Sequence, residues 1–122
     1  MILIGDDNIE CEKIEKISSI SDISSTTSNT TVLYNFDFDI LKYTQKNHLS
    51  SAVLTNNLQE VIYTSTFDVK YIIVNKSFAQ KAQNIANNYM LDSKILVVIE
   101  SNEELVQNAI DEIDGVIYNK VI

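Results

Sequence analysis

The sequence predicts an α/β domain built on a mostly parallel β-sheet of five or six strands. Short apolar runs rich in Val, Ile and Leu recur along the chain, and they are nearly continuous rather than alternating with polar residues. Strands that are buried on both faces have this composition. The segments between the runs carry apolar residues at helical spacing, and strands that alternate with helices are typical of parallel sheets.

Each predicted element follows from one of these patterns. Six runs have the length and composition of strands: residues 2–4, 31–36, 51–54, 71–74, 95–99 and 116–118. Four segments have the i, i+3, i+4, i+7 spacing of a helix with one buried face: residues 40–44, 58–65, 78–89 and 105–113. Residues 9–23 fit either an irregular strand or a helix, and a Ser/Thr-rich loop follows at residues 24–30.

The length of the chain indicates a single α/β domain over residues 1–122. A chain of this size buries about two-thirds of the surface that its unfolded form exposes, so a core forms without disulfides or a structural metal. Two arrangements of the predicted elements stay open. We favour an open three-layer α/β/α sandwich, and the alternative is a half-barrel of βα repeats.

The charge balance excludes several classes of partner. The chain carries 17 acidic and 9 basic residues, all of them lysines, for a net charge of −8. Nucleic-acid binding and attraction to anionic membranes both depend on cationic side chains, so we expect neither. No apolar stretch approaches the ~18 residues of a membrane span. A cytoplasmic location is therefore expected.

Cysteine, histidine and glycine are too few for several familiar sites. Cys11 and His48 are the only residues of their types, which excludes an internal disulfide and a Cys/His zinc site. Gly5 and Gly115 are the only glycines, and two isolated glycines cannot form a Gly-rich phosphate loop. The sequence therefore indicates no particular cofactor.

An internal repeat gives the first resemblance to a known fold. Residues 57–62 align with residues 101–106, and both segments open with a capping residue that is followed three positions later by Glu60 or Glu104. Ser77 with Gln80 repeats this capping pattern at the intervening helix. Residues 50–118, with their YIIV and IDGVIY strands, resemble part of a (β/α)8 barrel. A full barrel needs about 200 residues or more, so a half-barrel of this chain would cover its edges by pairing with another copy.

The amino-terminal segment gives a second resemblance. Residues 2–8, with the sequence ILIGDDN, resemble the first strand of response-regulator receiver domains. The resemblance implies a Mg²⁺-dependent site made of the paired acids Asp6 and Asp7, the phosphoacceptor Asp37, the switch threonine Thr55 and the lysine Lys76. The spacings between these acids and the threonine are shorter than in receivers, and Ser77 stands where receivers have a proline.

Ligands of parallel sheets bind outside the carboxyl ends of the strands. This rule nominates Asn35 and Glu100 together with the nine residues that we predict to contact a ligand: Asp6, Asp7, Asp37, Thr55, Asn57, Lys76, Ser77, Ser101 and Asn102. Free helix amides near Lys76, Ser77 and Ser101 would suit a small anion. The alternative for each Ser, Thr and Asn is that it only caps a helix.

These observations lead to two hypotheses about function. The first is a non-enzymatic protein that acts through self-association, as a homo-oligomer, or through a partner protein, with a small-anion site. The alternative is a small metal- or phosphate-dependent enzyme, or a receiver-like sensor, that uses Asp6, Asp7, Asp37 and Lys76 at the strand ends. Whether the chain is an enzyme is left open by the sequence.

Overall fold

The computed structural model describes residues 1–122. Its strands are β1 (Ile2–Ile4), β2 (Ile14–Lys16), β3 (Thr31–Asn35), β4 (Ser51–Leu54), β5 (Tyr71–Val74), β6 (Lys94–Ile99) and β7 (Gly115–Tyr118). Its α-helices are α1 (Phe38–Lys46), α2 (Leu58–Ser65), α3 (Ala79–Asn88) and α4 (Leu105–Ile110). One helix therefore follows each of the strands β3 to β6, which confirms the predicted alternation.

The seven strands form one sheet in the order β1-β7-β6-β5-β4-β3-β2, and every pair is parallel. Strands β2 to β7 are neighbours in chain order, and β1 lies beside the last strand. This is the strand order of a (β/α) barrel with one pairing missing, the one between β1 and β2. The sheet is curled into a half-barrel whose two free edges belong to these two strands. A receiver domain has the strand order 2-1-3-4-5, so the resemblance of residues 2–8 to receivers does not extend to the fold.

The helices cover only the outer face of the sheet. Consecutive strands advance in one direction, and right-handed crossovers then place every helix on the same side. The outer core joins 19 buried residues of strands and helices, among them Tyr34 of β3 and Leu41 of α1. The inner core contains 7 buried residues, and all of them belong to strands: Ile4, Leu33, Ala52, Tyr71, Ile73, Leu96 and Ile117.

Curvature of the sheet buries this inner face. Leu33, Ala52 and Leu96 are 0% exposed although no α-helix packs against them. The predicted three-layer sandwich is therefore wrong, because its second helical layer does not exist. The half-barrel alternative describes the fold, and the sheet has seven strands rather than five or six.

The six predicted strands are all present, with ends that differ by at most one residue from the prediction. The seventh strand, β2, comes from the segment that fitted either a strand or a helix, and a 3-10 helix over Ile20–Ser25 follows it. Helix α1 is longer than predicted. Helix α4 begins at Leu105 as predicted, after a 3-10 turn over Asn102–Glu104, and it is shorter because the chain leaves the helix after Ile110.

A polar cluster at the amino end of the half-barrel holds β2 in place. Glu12, two residues before β2, accepts hydrogen bonds from Lys70 at 2.8 and 2.9 Å and from the Thr31 hydroxyl at 2.5 Å. It also accepts one from the Tyr71 hydroxyl. Lys70 and Tyr71 lie at the start of β5, so one carboxylate joins the free edge of the sheet to its centre. Partial burial acts to raise the pKa of Glu12, but the hydrogen bonds from Lys70, Thr31 and Tyr71 outweigh it and lower that pKa.

We expect Glu12→Gln to remove part of the acid sensitivity of the protein. The pKa of Glu12 is lower in the folded chain than its usual value near 4.5, so its contribution to stability is complete above that value. The contribution is lost as the pH falls through the lowered pKa. Because Glu12 is only partly buried, we expect a loss of about 1 kcal/mol at neutral pH.

Urea unfolding at several values between about pH 6 and pH 3 measures this effect. The two proteins should differ at neutral pH and converge in acid. Glu10→Gln is the matched control, since that carboxylate is exposed and makes no ion pair and no side-chain hydrogen bond. A Glu12→Gln profile that stays parallel to the wild-type profile would show that this carboxylate does not hold β2.

Candidate functional site

The carboxyl end of the half-barrel contains a cavity of about 240 Å³ on the inner face of the sheet. Five successive strands, β3 to β7, contribute to its wall. The lining residues are Asn35, Leu54, Thr55, Asn56, Ile73, Val74, Asn75, Val98, Asn119 and Ile122. The cavity therefore lies where α/β barrels and parallel sheets bind their ligands.

Four asparagines form the upper wall of this cavity, and we call them the asparagine rim: Asn35, Asn56, Asn75 and Asn119. Each stands two residues after an apolar side chain of the inner face: Leu33, Leu54, Ile73 and Ile117. Side chains of a strand alternate between its faces, which directs Asn35 inward, and the other three continue the same spacing just past the ends of β4, β5 and β7, where they line the cavity. Below the rim, apolar side chains of β4, β5 and β6 form the floor.

Much of the hydrogen-bonding capacity of the rim is free. The side chains of Asn35 and Asn119 make no hydrogen bond within the chain. The Asn75 side-chain oxygen accepts from the Ser77 amide at 2.9 Å and from the Ser77 hydroxyl, which leaves its NH₂ group available. The Asn56 amide makes one long contact, at 3.4 Å, with Glu60.

Three of the nine predicted site residues have local structural roles. Asp37 caps α1 by accepting from the amides of Asp39 at 2.8 Å and Ile40 at 3.1 Å. Asn57 caps α2 by accepting from the Glu60 amide at 2.9 Å. Thr55 is buried, and its hydroxyl donates to the Ile73 carbonyl at 2.8 Å. Thr55 is the one member of the nine that lines the cavity.

Asp6, Asp7 and Asn102 lie around the end of β7. The Tyr118 hydroxyl is 3.0 Å from a carboxylate oxygen of Asp6 and also contacts the Asn102 side-chain oxygen. The Tyr118 hydroxyl has one proton and therefore donates to only one of these two acceptors at a time. Desolvation, with the nearby Asp6 carboxylate, raises the pKa of Tyr118. Asp7 pairs with Lys120 at 2.7 Å, which lowers the pKa of Asp7.

The remaining three predicted residues follow two neighbouring strands: Lys76 and Ser77 come after β5, and Ser101 comes after β6. Lys76 pairs with Glu104 at 3.0 Å, and Glu104 also accepts from the amides of Glu100 at 2.7 Å and Ser101 at 3.1 Å. The Glu100 amide, followed by Lys76, lowers the pKa of Glu104. Ser77 does not cap α3 as we predicted, because that helix begins at Ala79 and the Ser77 hydroxyl bonds to Asn75.

The predicted site residues thus fall into separate local groups rather than one centre. No group of three or more His, Cys, Asp or Glu side chains is placed to hold a metal ion. The strand-end rule nominated Asn35, but it passed over Asn56, Asn75 and Asn119. The signal that could have identified them is the repeated spacing of an asparagine two residues after an inward-facing apolar side chain.

Four larger depressions lie elsewhere on the surface. Two of them, of about 290 and 450 Å³, lie at the amino ends of the strands, next to His48 and next to Lys70. One of about 360 Å³ lies between α3 and α4, where Glu104 pairs with Lys76. One of about 250 Å³ lies at the carboxyl ends of β2 and β3 beside α1 and includes Asp37. The inner cavity is the better candidate for a ligand site, because it lies at the carboxyl ends of five strands and each of the others adjoins those of two strands or fewer.

The fold and the cavity define a parallel α/β half-barrel with an uncharged polar site at the carboxyl end of its strands. No protein-family model matches the chain, and no curated protein matches it significantly. None of its helices combines the length and the apolar character needed to cross a membrane.

Proposed function

We propose that this chain is a non-enzymatic binding protein that holds a small molecule in the inner cavity at the carboxyl end of the half-barrel. The observation that carries the proposal is the chemistry of the lining, which combines amide groups with apolar side chains and one threonine. General acid–base catalysis needs a side chain that titrates, and covalent catalysis needs an activated nucleophile. The Thr55 hydroxyl is already donated to a backbone carbonyl.

The framework beneath the cavity supports binding without a large rearrangement. Ile73 in the floor is 1% exposed, and the neighbouring strands are hydrogen-bonded in continuous register from β3 to β7. A site that is built on packed strands holds its polar groups in place before the ligand arrives. The ordering cost of binding is then small.

A fragment screen followed by two-dimensional amide NMR tests this proposal. We expect at least one fragment to shift the signals of Asn56, Asn75 and Asn119, while those of Gln107 and Asp111 in the outer groove stay unchanged. Those two residues serve as the internal control, because they line the depression between α3 and α4. Fragments that shift only the outer groove, or a screen without any shift at the rim, would contradict the proposal.

The metal- or phosphate-dependent enzyme or sensor fits this geometry less well. Asp37 is engaged as a helix cap, and Lys76 is neutralised by Glu104. Asp6 faces Tyr118 and Asp7 pairs with Lys120, so the four residues of that hypothesis act in separate places. The same ion pair weakens the expectation of a small-anion site at Lys76.

Self-association is a second candidate function, and the free edges of β1 and β2 favour it. Unpaired strand edges attract further strands, and a second copy could supply them. Both edge strands are only 3 residues long, and β2 carries Glu15 and Lys16, features that limit edge pairing. Light scattering at micromolar concentration decides the question, because a mass of 13.8 kDa would mean a monomer.

A further inference from the structure

We infer that the asparagine rim selects an uncharged polyhydroxylated compound of about the size of one sugar ring. This inference rests on the proposed function and names the class of ligand for the same cavity. The rim, the charges around the cavity, and its volume and floor each restrict the ligand.

The first restriction comes from the amide groups. Each asparagine side chain has two N–H donors and a carbonyl acceptor, and each hydroxyl of a polyol both donates and accepts. Asn35 and Asn119 offer donors and acceptors on opposite sides of the cavity wall, from β3 and from the end of β7. Asn75 offers only its NH₂ group, because Ser77 occupies its oxygen. A ligand with several hydroxyl groups matches this mixed set.

The second restriction comes from charge. No lysine and no acidic side chain lines the cavity. The lysines that follow the neighbouring strands, Lys76 and Lys120, are each paired with a carboxylate. An anionic ligand would therefore be desolvated without a cationic partner, in a protein whose net charge is −8. A cationic ligand would meet no carboxylate in the wall.

The third restriction comes from volume and from the floor. A volume of 240 Å³ lies below the range of about 300–1,000 Å³ that pockets for drug-sized ligands have. The floor of Leu54, Ile73 and Val98 offers apolar contact to the C–H groups of a small ring. No aromatic side chain lines the cavity, so a nucleobase would find no ring to stack on.

Amide NMR titration with matched pairs of compounds tests the inference. The neutral probes are ribose, glucose and myo-inositol, and the charged probes are ribose 5-phosphate, glucose 6-phosphate and inositol 1-phosphate. We expect at least one neutral probe to shift the rim signals with a Kd at least tenfold lower than that of its phosphate. Thermal shifts are unsuitable here, since polyols at high concentration stabilise proteins without binding a site.

Alanine variants assign the binding to the rim. Asn35→Ala and Asn119→Ala remove exposed side chains without internal hydrogen bonds, so both variants should keep the wild-type spectrum and unfolding midpoint. We expect each to raise the Kd about fivefold, the effect of one lost hydrogen bond. Asn88→Ala, at the exposed end of α3, is the matched control and should leave the Kd unchanged.

The outcomes separate this inference from the proposed function. Tighter binding of a phosphate, or rim shifts only with aromatic fragments, would overturn the inference and leave a binding protein of another specificity. A neutral probe whose Kd is the same for wild type, Asn35→Ala and Asn119→Ala would also overturn it. If no compound of either the fragment screen or this panel shifts the rim, both the inference and the proposed function fail.

Discussion

Replacing Ile73 by aspartate is expected to unfold the protein. Ile73 lies in the inner core and is 1% exposed, and no lysine lies among the residues that form this cluster. A carboxylate there would be buried without a partner, at a cost of about 4 kcal/mol or more. A cost of that size approaches the whole stability of a typical domain, about 5–15 kcal/mol. We expect loss of the cooperative urea transition, measured by circular dichroism.

Ile62→Asp is the matched control for this prediction. Ile62 lies on α2, is 52% exposed, and undergoes the same change of side chain without burial. We expect its unfolding free energy to change by about 0.5 kcal/mol or less. If Ile73→Asp were folded and only slightly destabilised, water in the inner cavity would reach the carboxylate past the packing that leaves Ile73 1% exposed. The half-barrel would then be open enough for the inner core to be solvated.

The error about the second helical layer has a physical origin. A strand that is buried on both faces has the same apolar composition whether helices or the curvature of its own sheet cover the second face. Leu33, Ala52 and Leu96 satisfy both arrangements equally well. The sandwich and the half-barrel differ in strand order, because helices lie on both faces of a parallel sheet only where the strand order reverses. Strand order depends on contacts between distant residues, which local periodicity does not contain.

Strand β2 was left open between a strand and a helix for a related reason. Its three residues, Ile14, Glu15 and Lys16, form no apolar run. Its position depends on Glu12, which contacts Lys70 and Tyr71 from 58 and 59 residues away in the chain. The longer strands β3 to β7 were predictable because each carries its own burial signal.

The candidate site shows the same division between local and distant information. Asp37 and Asn57 follow strands and were predicted as ligand contacts, but the helices that begin after them use both side chains as caps. The rim asparagines also lie at strand ends, but unlike Asp37 and Asn57 they line the inner side of the sheet. The face on which each asparagine lies could be predicted from its spacing along the chain. That the four asparagines meet around one cavity could not, because it depends on the curvature of the sheet.

Replacing Gly115 by alanine is expected to detach β1 from the sheet. Gly115 pairs with Ile2 of β1 on one side and with Leu96 of β6 on the other. A Cβ atom at this position would lie 2.6 Å from both the Cβ atom and the backbone oxygen of Ile2, and 2.7 Å from Cδ2 of Leu96. A backbone oxygen cannot move aside without shifting its strand, so we expect a loss of about 3 kcal/mol.

Amide hydrogen exchange locates this effect, because β1 is an edge strand and can open without the rest of the sheet. The Ile2 amide donates to the Asp114 carbonyl at 3.0 Å and should lose its protection in Gly115→Ala. The Lys70 amide, which donates to Ser51 at the centre of the sheet, should keep more of its protection. Asn119→Ala, at the other end of β7, is the control and should leave both amides protected. Full protection of Ile2 in Gly115→Ala would mean that β1 and β7 can separate enough to admit a methyl group without unpairing.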